Sequence, residues 1–179
     1  KWLKKNKIVG LTGVDTRNIT NFIRDKGAPK GTIETNRNGK FNIKKLLNKI
    51  DFDENLLPKV IHIAGTNGKG STAAILKSIL NNHGYSTHIY STPHLVNFNE
   101  RVQLRSKNIS NQKLLKYLKL CENKNQGNLI TFFEITTAAA FKAFQDHKAD
   151  YLILEVGLGG RFDATNILKR TKYAAITPI

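Results

Sequence analysis

The chain has 179 residues with 29 Lys and Arg against 13 Asp and Glu, a formal net charge of +16, and 40% hydrophobic residues, enough for one cored domain with a small piece beside it. No apolar run approaches the roughly 20 residues that cross a bilayer, nothing reads as a secretory leader, and one cysteine, Cys121, excludes an intramolecular disulfide framework or a cysteine-cluster metal site. A cytoplasmic protein is expected, with no membrane partner.

Taken in order, Lys7–Thr12 reads as a short buried strand, and Asp15 caps a helix over Thr16–Lys26 that Gly27 ends. Residues 36–40 are a turn, Asn42–Ile50 a helix and Asp51–Pro58 a polar junction. Lys59–Ala64 (KVIHIA) is a strand, Gly65–Gly70 a loop, Ser71–His83 a helix ended by Gly84, and Ser86–Tyr90 the next strand. A loop over 91–100 leads to a short strand at Val102–Leu104, a helix over Ser110–Glu122 and a polar loop at 123–128. Thr131 and Glu134 form a T-x-x-E capping box for a helix reaching about His147. Tyr151–Val156 is a continuous apolar strand of the kind a parallel sheet buries on both faces. Gly157–Gly160 turns the chain, and Tyr173–Thr177 is the last strand. Alternating strands and helices predict an α/β fold with a doubly wound, mostly parallel sheet, preceded by a small βα segment.

The strand KVIHIA runs into Gly65-Thr66-Asn67-Gly68-Lys69-Gly70-Ser71-Thr72 and then a helix. That is the setting of a phosphate-binding loop: glycines let several N–H groups face one anion, the helix N-terminus adds positive potential, and Lys69 supplies a point charge. The usual G-x-x-x-x-G-K-[ST] spacing is not kept, because Gly70 directly follows the lysine and the hydroxyl comes one residue late, as Ser71 or Thr72. Glu155 ends the strand YLILE, where open α/β sheets place ligands. Its carboxylate either holds a hydrated Mg²⁺ beside the phosphates or faces solvent. The segment GLGGRFDATN that follows is either a tight turn or a substrate-binding surface.

Four ordered stretches, HIAGTNGKGSTAA, YSTPHLVNFNERV, TFFEITTAAAF and LEVGLGGRFDATN, resemble folylpolyglutamate synthase/dihydrofolate synthase, a family of ATP-dependent Mur ligase-like enzymes. The resemblance covers residues 51–179 and implies a truncated ATP-binding domain. It implies the cofactors ATP and Mg²⁺ and the substrates dihydropteroate or folate and L-glutamate, joined through an acyl phosphate. Carried over, Thr66, Asn67, Gly68, Lys69, Gly70 and Ser71 would hold the phosphates. Thr92 stands where the family has Ser in an S-P-H motif, and with Glu155 and Ser71 would ligate the metal. Lys69, Glu155 and His94 would be catalytic, His94 lying in a loop over the site. Thr131, Phe133 and Phe162 lie where the family meets the pterin-bearing substrate; Thr131 serves equally as a helix cap, Phe133 as core and Phe162 as loop packing. Glu134 reads as a capping-box residue and Cys121 as a packing thiol. A further Mg²⁺-ligating His would follow Ile179, as would the glutamate-binding domain, so a slice of this extent is expected not to turn over. A monomer is expected.

The first segment, WLKKNKIVGLTGVDTRNITNFIRDKGAPKGTI, resembles instead the N-terminal domain of the carbamoyl-phosphate synthase small chain, through the run Val14 to Ala28. That implies an interaction segment without the glutaminase residues, with Asp15, Thr16 and Arg17 as cap and surface contacts. Residues 1–50 are therefore expected to be a small-chain-like fragment and junction, with the seam within 34–54. No Met occurs anywhere, and the chain stops just after a strand-like run. These features are expected of a slice of a longer reading frame, either a degenerate remnant or two frames joined. The charge divides likewise, +10 in residues 1–50 and +6 in 51–179. Of the basic residues 22 are Lys, and the aromatics sit in apolar runs. Nucleic-acid readers use Arg and interleaved aromatics, so a solvated surface without a nucleic-acid partner is expected.

Overall fold

A computed structural model describes residues 43–179, which fall within one compact unit. The strand expected at 7–12, the helix at 16–26, its residues Asp15, Thr16 and Arg17, and the turn at 36–40 lie outside the described residues.

Helix α1 (Ile43–Lys49) buries Ile43, Leu46 and Leu47, the i, i+3, i+4 face of one helix. A 3-10 turn at Glu54–Leu56 is capped by Asp53, whose side chain accepts from Asn55 N–H. Then come β1 (Lys59–Ala64), α2 (Lys69–Asn82), β2 (Thr87–Tyr90), a 3-10 turn at Phe98–Arg101, β3 (Val102–Leu104) and β4 (Lys107–Asn108). They are followed by α3 (Asn111–Asn125), α4 (Phe132–Asp146), β5 (Tyr151–Glu155) and β6 (Thr171–Ile176). One sheet holds all six strands in the order β4-β3-β2-β5-β1-β6. β2, β5, β1 and β6 run parallel, while β3 and β4 add an antiparallel edge.

Side chains of the central strands alternate between two apolar layers. Ile61 and Ile63 of β1, Ile89 of β2 and Ile153 of β5 pack with Ala73, Leu76 and Leu80 of α2. Val60, Tyr90, Leu152 and Leu154 enter the other layer, with residues of α1, α3 and α4. This is period-two alternation on a sheet covered twice, and it explains why YLILE carries no polar residue before its end. Ala138, Ala139, Ala140 and Ala143 of α4 are buried with Phe141 and Phe144, and α4 packs against α3 and α1. Each fully buried Leu, Ile or Phe contributes about 1.5–3 kcal/mol.

Three boundaries differ from expectation by two residues or more. α2 begins at Lys69 rather than Ser71, because Gly68 itself caps the helix with φ 80. α3 runs to Asn125, into the stretch expected to be a loop, and Gln126 ends it in the left-handed region at φ 54. β6 starts two residues early, at Thr171. β3 is met as expected at Val102–Leu104, but β4 and the hairpin it makes with β3 were not expected. Its two turn residues, Arg105 and Ser106, both have positive φ (49 and 65), which a two-residue turn of this twist requires and which Asn-Gly ordinarily signals. Tertiary bonds hold it instead: Ser106 N–H donates to Thr87 O at 2.8 Å, and Asn81 Nδ2 donates to Ser106 Oγ at 2.9 Å.

Parallel pairing brings the carboxyl ends of β1, β2 and β5 to one edge, with Ile63 opposite Glu155. The glycine loop, the loop after Tyr90 and the loop after Glu155 therefore converge there.

Candidate functional site

The loop between β1 and α2 is closed from two sides. Lys69 Nζ folds back to donate to Gly65 O at 2.8 Å and Thr66 O at 3.3 Å. The N–H groups of Thr66 and Asn67 donate to Pro178 O at 3.0 and 3.1 Å, and Thr177 N–H donates to Ala64 O at 2.9 Å. The segment after β6 thus straps the mouth of the loop. Gly65 is required by that closeness: at φ 126 a Cβ would stand 2.2 Å from Thr177 Oγ1 and 2.6 Å from its carbonyl oxygen.

The first intrahelical bond of α2 runs from Thr72 N–H to Gly68 O at 2.9 Å. The N–H groups of Lys69, Gly70 and Ser71 belong to the first turn, where helix geometry offers no partner four residues back. These donors, the helix dipole and the Lys69 ammonium make a cradle that fits a polyphosphate. Thr66 and Asn67 commit their backbone N–H groups to Pro178, so any contact they make with a ligand comes from their exposed side chains.

Glu155 is 5% exposed. Its Oε2 accepts the N–H of Thr92 at 3.1 Å, and both carboxylate oxygens lie 3.9 Å from where a Cβ on Gly70 would be. The carboxylate therefore faces the first turn of α2 and touches the loop carrying Thr92. Burial pushes its pKa above the ordinary carboxylate value, while the Thr92 N–H and the Lys69 charge pull the other way. Among the described residues no cluster of three His, Cys, Asp or Glu could hold a metal. The donor set that fits Mg²⁺ here is one carboxylate with hydroxyls and water, as its preference for oxygen ligands and retained waters allows. Glu155 is such a carboxylate, bonded to the Thr92 N–H, and Thr92 and Ser71 each carry a hydroxyl.

The loop 91–101 is organised by two residues whose part sequence reasoning missed. Glu100 accepts N–H groups of Leu95 at 2.7 Å, Val96 at 3.1 Å and Asn97 at 2.7 Å; these bonds, that from Asn97 foremost, hold its carboxyl below the usual range. Arg101 is buried and donates from Nε to His94 Nδ1 at 2.8 Å, with its guanidinium 5.1 Å from the Phe98 ring centroid. His94 is thereby fixed within the loop that bears Thr92. The N-x-x-E capping-box spacing of Asn97 and Glu100 was the available signal for Glu100; none marked Arg101.

Thr131 completes a capping box. Its N–H and Oγ1 donate to Glu134 Oε2 at 2.9 and 2.8 Å, and Glu134 N–H donates back to Thr131 Oγ1 at 3.1 Å. Phe133 is half-buried, with its ring where a Gly157 Cβ would approach to 2.8 Å. Phe162 is 73% exposed, the Arg161 guanidinium standing 5.6 Å from its ring centroid. Phe133 and the loop bearing Phe162 thus meet beside Glu155. Asp163 holds that loop together: Oδ2 accepts the N–H groups of Gly157 and Leu158, and Oδ1 accepts from Thr165.

Over three quarters of its length the chain is similar to dihydrofolate synthase/folylpolyglutamate synthase. The Haemophilus influenzae protein of that name is 42% identical over 138 residues, covering 76% of this chain and 31% of the relative. A bifunctional folylpolyglutamate synthase/dihydrofolate synthase solved with Mn, AMPPNP and L-glutamate is 38% identical with TM-score 0.70, covering 75% of this chain and 33% of that one. E. coli FolC in complex with DHPP and ADP is 30% identical with TM-score 0.69, covering 94% and 39%. The chain thus spans about a third of the length of these proteins. Residues 1–33 match a different family, the carbamoyl-phosphate synthase small chain, CPSase domain. Both expected resemblances and the α/β fold class are met.

Proposed function

We propose that residues 51–179 form the nucleotide-binding part of an ATP-dependent carboxylate–amine ligase acting on dihydropteroate or folate and L-glutamate, with residues 1–50 a small-chain-like segment and junction. The observation that carries this is the pairing of Lys69, at the first turn of α2, with Glu155 facing that turn and bonded to Thr92. The relatives support it: one similar structure holds AMPPNP, Mn and L-glutamate, another DHPP and ADP.

In such a reaction a carboxylate oxygen of the folate-class substrate takes the γ-phosphoryl group as the bond to the β-phosphate oxygen breaks and ADP leaves. The glutamate amine then attacks the acyl carbon, inorganic phosphate leaves with the bonding electrons, and the amine loses a proton as the amide forms. Mg²⁺, when bound, supplies neutralising charge as the phosphoryl group moves. Lys69 and the first-turn N–H groups of α2 orient the phosphates. Glu155, Thr92 and Ser71 would hold the metal. Glu100 and Arg101 set the loop that places Thr92 and His94. Phe133 and Phe162 offer aromatic surface to a flat heterocycle, and Thr131 keeps α4 capped beside them. No helix among the described residues is long and apolar enough to cross a membrane; we take the protein to be a cytoplasmic monomer working on small molecules rather than nucleic acid.

The match over residues 1–33 favours a second reading for that segment alone, as an interaction segment of small-chain type. It covers too little of the chain to compete for residues 51–179. The substrate class is tested by calorimetric titration of dihydropteroate into the chain in the presence of MgAMPPNP. Saturable binding weakened by Phe133→Ala and Phe162→Ala is expected; binding unaffected by both would contradict the assignment.

A further inference from the structure

We propose that His62 and Thr165 are positioning residues for the loop after Glu155, acting through Asp163 to hold that loop in its ligand-ready form. The proposal rests on the reading that this loop meets the folate-class substrate.

Asp163, Thr165 and His62 are all buried. Asp163 Oδ2 accepts Gly157 N–H at 3.1 Å and Leu158 N–H at 2.9 Å. Its Oδ1 accepts Thr165 N–H at 2.9 Å and the Thr165 hydroxyl at 2.6 Å. The Thr165 hydroxyl donates to Asp163 Oδ1, so its single proton is used there. Thr165 Oγ1 also lies 2.8 Å from His62 Nε2. With its proton already given, it accepts there, and His62 must carry its hydrogen on Nε2. The direction of the chain is therefore fixed: His62 donates to Thr165, Thr165 to Asp163, and Asp163 gathers the backbone of the loop. Burial lowers the His62 pKa and Asp163 opposes that shift, which agrees with a neutral ring in this role.

The anchor at the far end is β1. His62 lies two residues before Ala64, opposite Leu154 of β5, on the strand that feeds the phosphate-binding loop. A segment with Gly157, Gly159 and Gly160 has much conformational freedom to lose. Two further bonds hold its tip, from Asp163 N–H to Gly160 O at 3.0 Å and from Asn166 Nδ2 to Arg161 O at 3.2 Å. Ordering the loop in the folded protein spares that cost on binding, and it presents Arg161 and Phe162 outward. Neither His62 nor Thr165 touches the phosphate cradle, so their effect belongs to the ligand that meets the loop.

The test compares Thr165→Val, which keeps the shape without the hydroxyl, with Thr165→Ser, which restores it, and with His62→Gln, which keeps a donor. Hydrogen exchange of peptides spanning 156–168 is followed by mass spectrometry, beside titrations with MgAMPPNP and with dihydropteroate. In Thr165→Val the loop amides should exchange about 10-fold faster, the scale of one buried hydrogen bond, while exchange in β5 and the nucleotide affinity stay as in the parent. Dihydropteroate should weaken several-fold, and Thr165→Ser should recover both. Unchanged loop exchange in folded Thr165→Val, acceleration spread evenly through the sheet, or failure of Thr165→Ser to restore the loop would each overturn the proposal. Should Thr165→Val not fold, His62→Leu, which removes the donor, takes its place: loosening confined to 156–168 that His62→Gln does not show supports the relay, and parental loop exchange in His62→Leu overturns it. If the parent chain does not bind dihydropteroate, the substrate reading fails while the exchange result still decides the positioning claim.

Discussion

Gly65 shows how a single position is constrained by its surroundings. A methyl group there meets both the hydroxyl and the carbonyl oxygen of Thr177, at 2.2 and 2.6 Å. Gly65→Ala should therefore destabilise the fold by roughly 1–3 kcal/mol, the range for overpacking and a strained φ, read as a lowered urea midpoint. Adding Thr177→Ala should not rescue it, since the backbone oxygen remains; full rescue would show that the side chain alone sets the constraint. Cys121 gives a second expectation at this scale. Its thiol is buried and its pKa pushed up to about 12, so it should resist a thiol-specific disulfide reagent in the native protein and react at once in denaturant. His62 and His88 both lie below the ordinary value of 6.5, chiefly through burial. His88 is also committed at both nitrogens, Nε2 to His147 O at 2.7 Å and Nδ1 to Arg105 N–H at 3.0 Å. Because the unfolded chain takes up protons that these folded rings refuse, stability is fully present above about pH 6.5 and falls as pH drops below it. Urea midpoints at pH 7.5 and 5.5 should show that fall, and His88→Gln should flatten it. Glu155 has the opposite sign: with its pKa raised, ionisation costs stability as pH climbs past 4.5, so Glu155→Gln should stabilise the metal-free chain near pH 7.

Among elements, α4 is where capping and the candidate site overlap. The Thr131–Glu134 box satisfies donors at its first turn, and Thr131→Ala should cost about 1 kcal/mol, measurable by denaturation without any ligand. The order of helices and strands from α1 to β6, β4 apart, was legible because local signals agreed: apolar runs in β1 and β5, a capping box on α4, glycine after α2. What was not legible depends on distant partners. Arg105 and Ser106 carry no turn signature, and their hairpin exists through bonds to Thr87 and Asn81. The placement of β5 between β1 and β2 leaves no local trace. At the site, the glycine loop, Lys69 and Glu155 could be read from a strand, a loop and a strand end. The strap from Thr177 and Pro178 lies more than a hundred residues from the loop it closes, and the His62–Thr165 contact is equally remote, so neither could be read from spacing.

Taken whole, the molecule joins a nucleotide-type site to about a third of the length of the ligases it resembles. Binding without turnover is expected: with ATP, Mg²⁺, dihydropteroate and L-glutamate present, the 179-residue chain should release no glutamate-dependent ADP. Release that disappears in Lys69→Ala would contradict this. The central claim is that Lys69 and Glu155 form a site for a metal-bound nucleoside triphosphate. Isothermal titration of AMPPNP into the chain, with and without Mg²⁺, tests it most directly. Binding should require Mg²⁺, weaken by about 10- to 100-fold in Lys69→Ala, the scale of a charge-assisted hydrogen bond, and lose its Mg²⁺ dependence in Glu155→Gln. Affinity that is indifferent to Mg²⁺ and to both substitutions would contradict it.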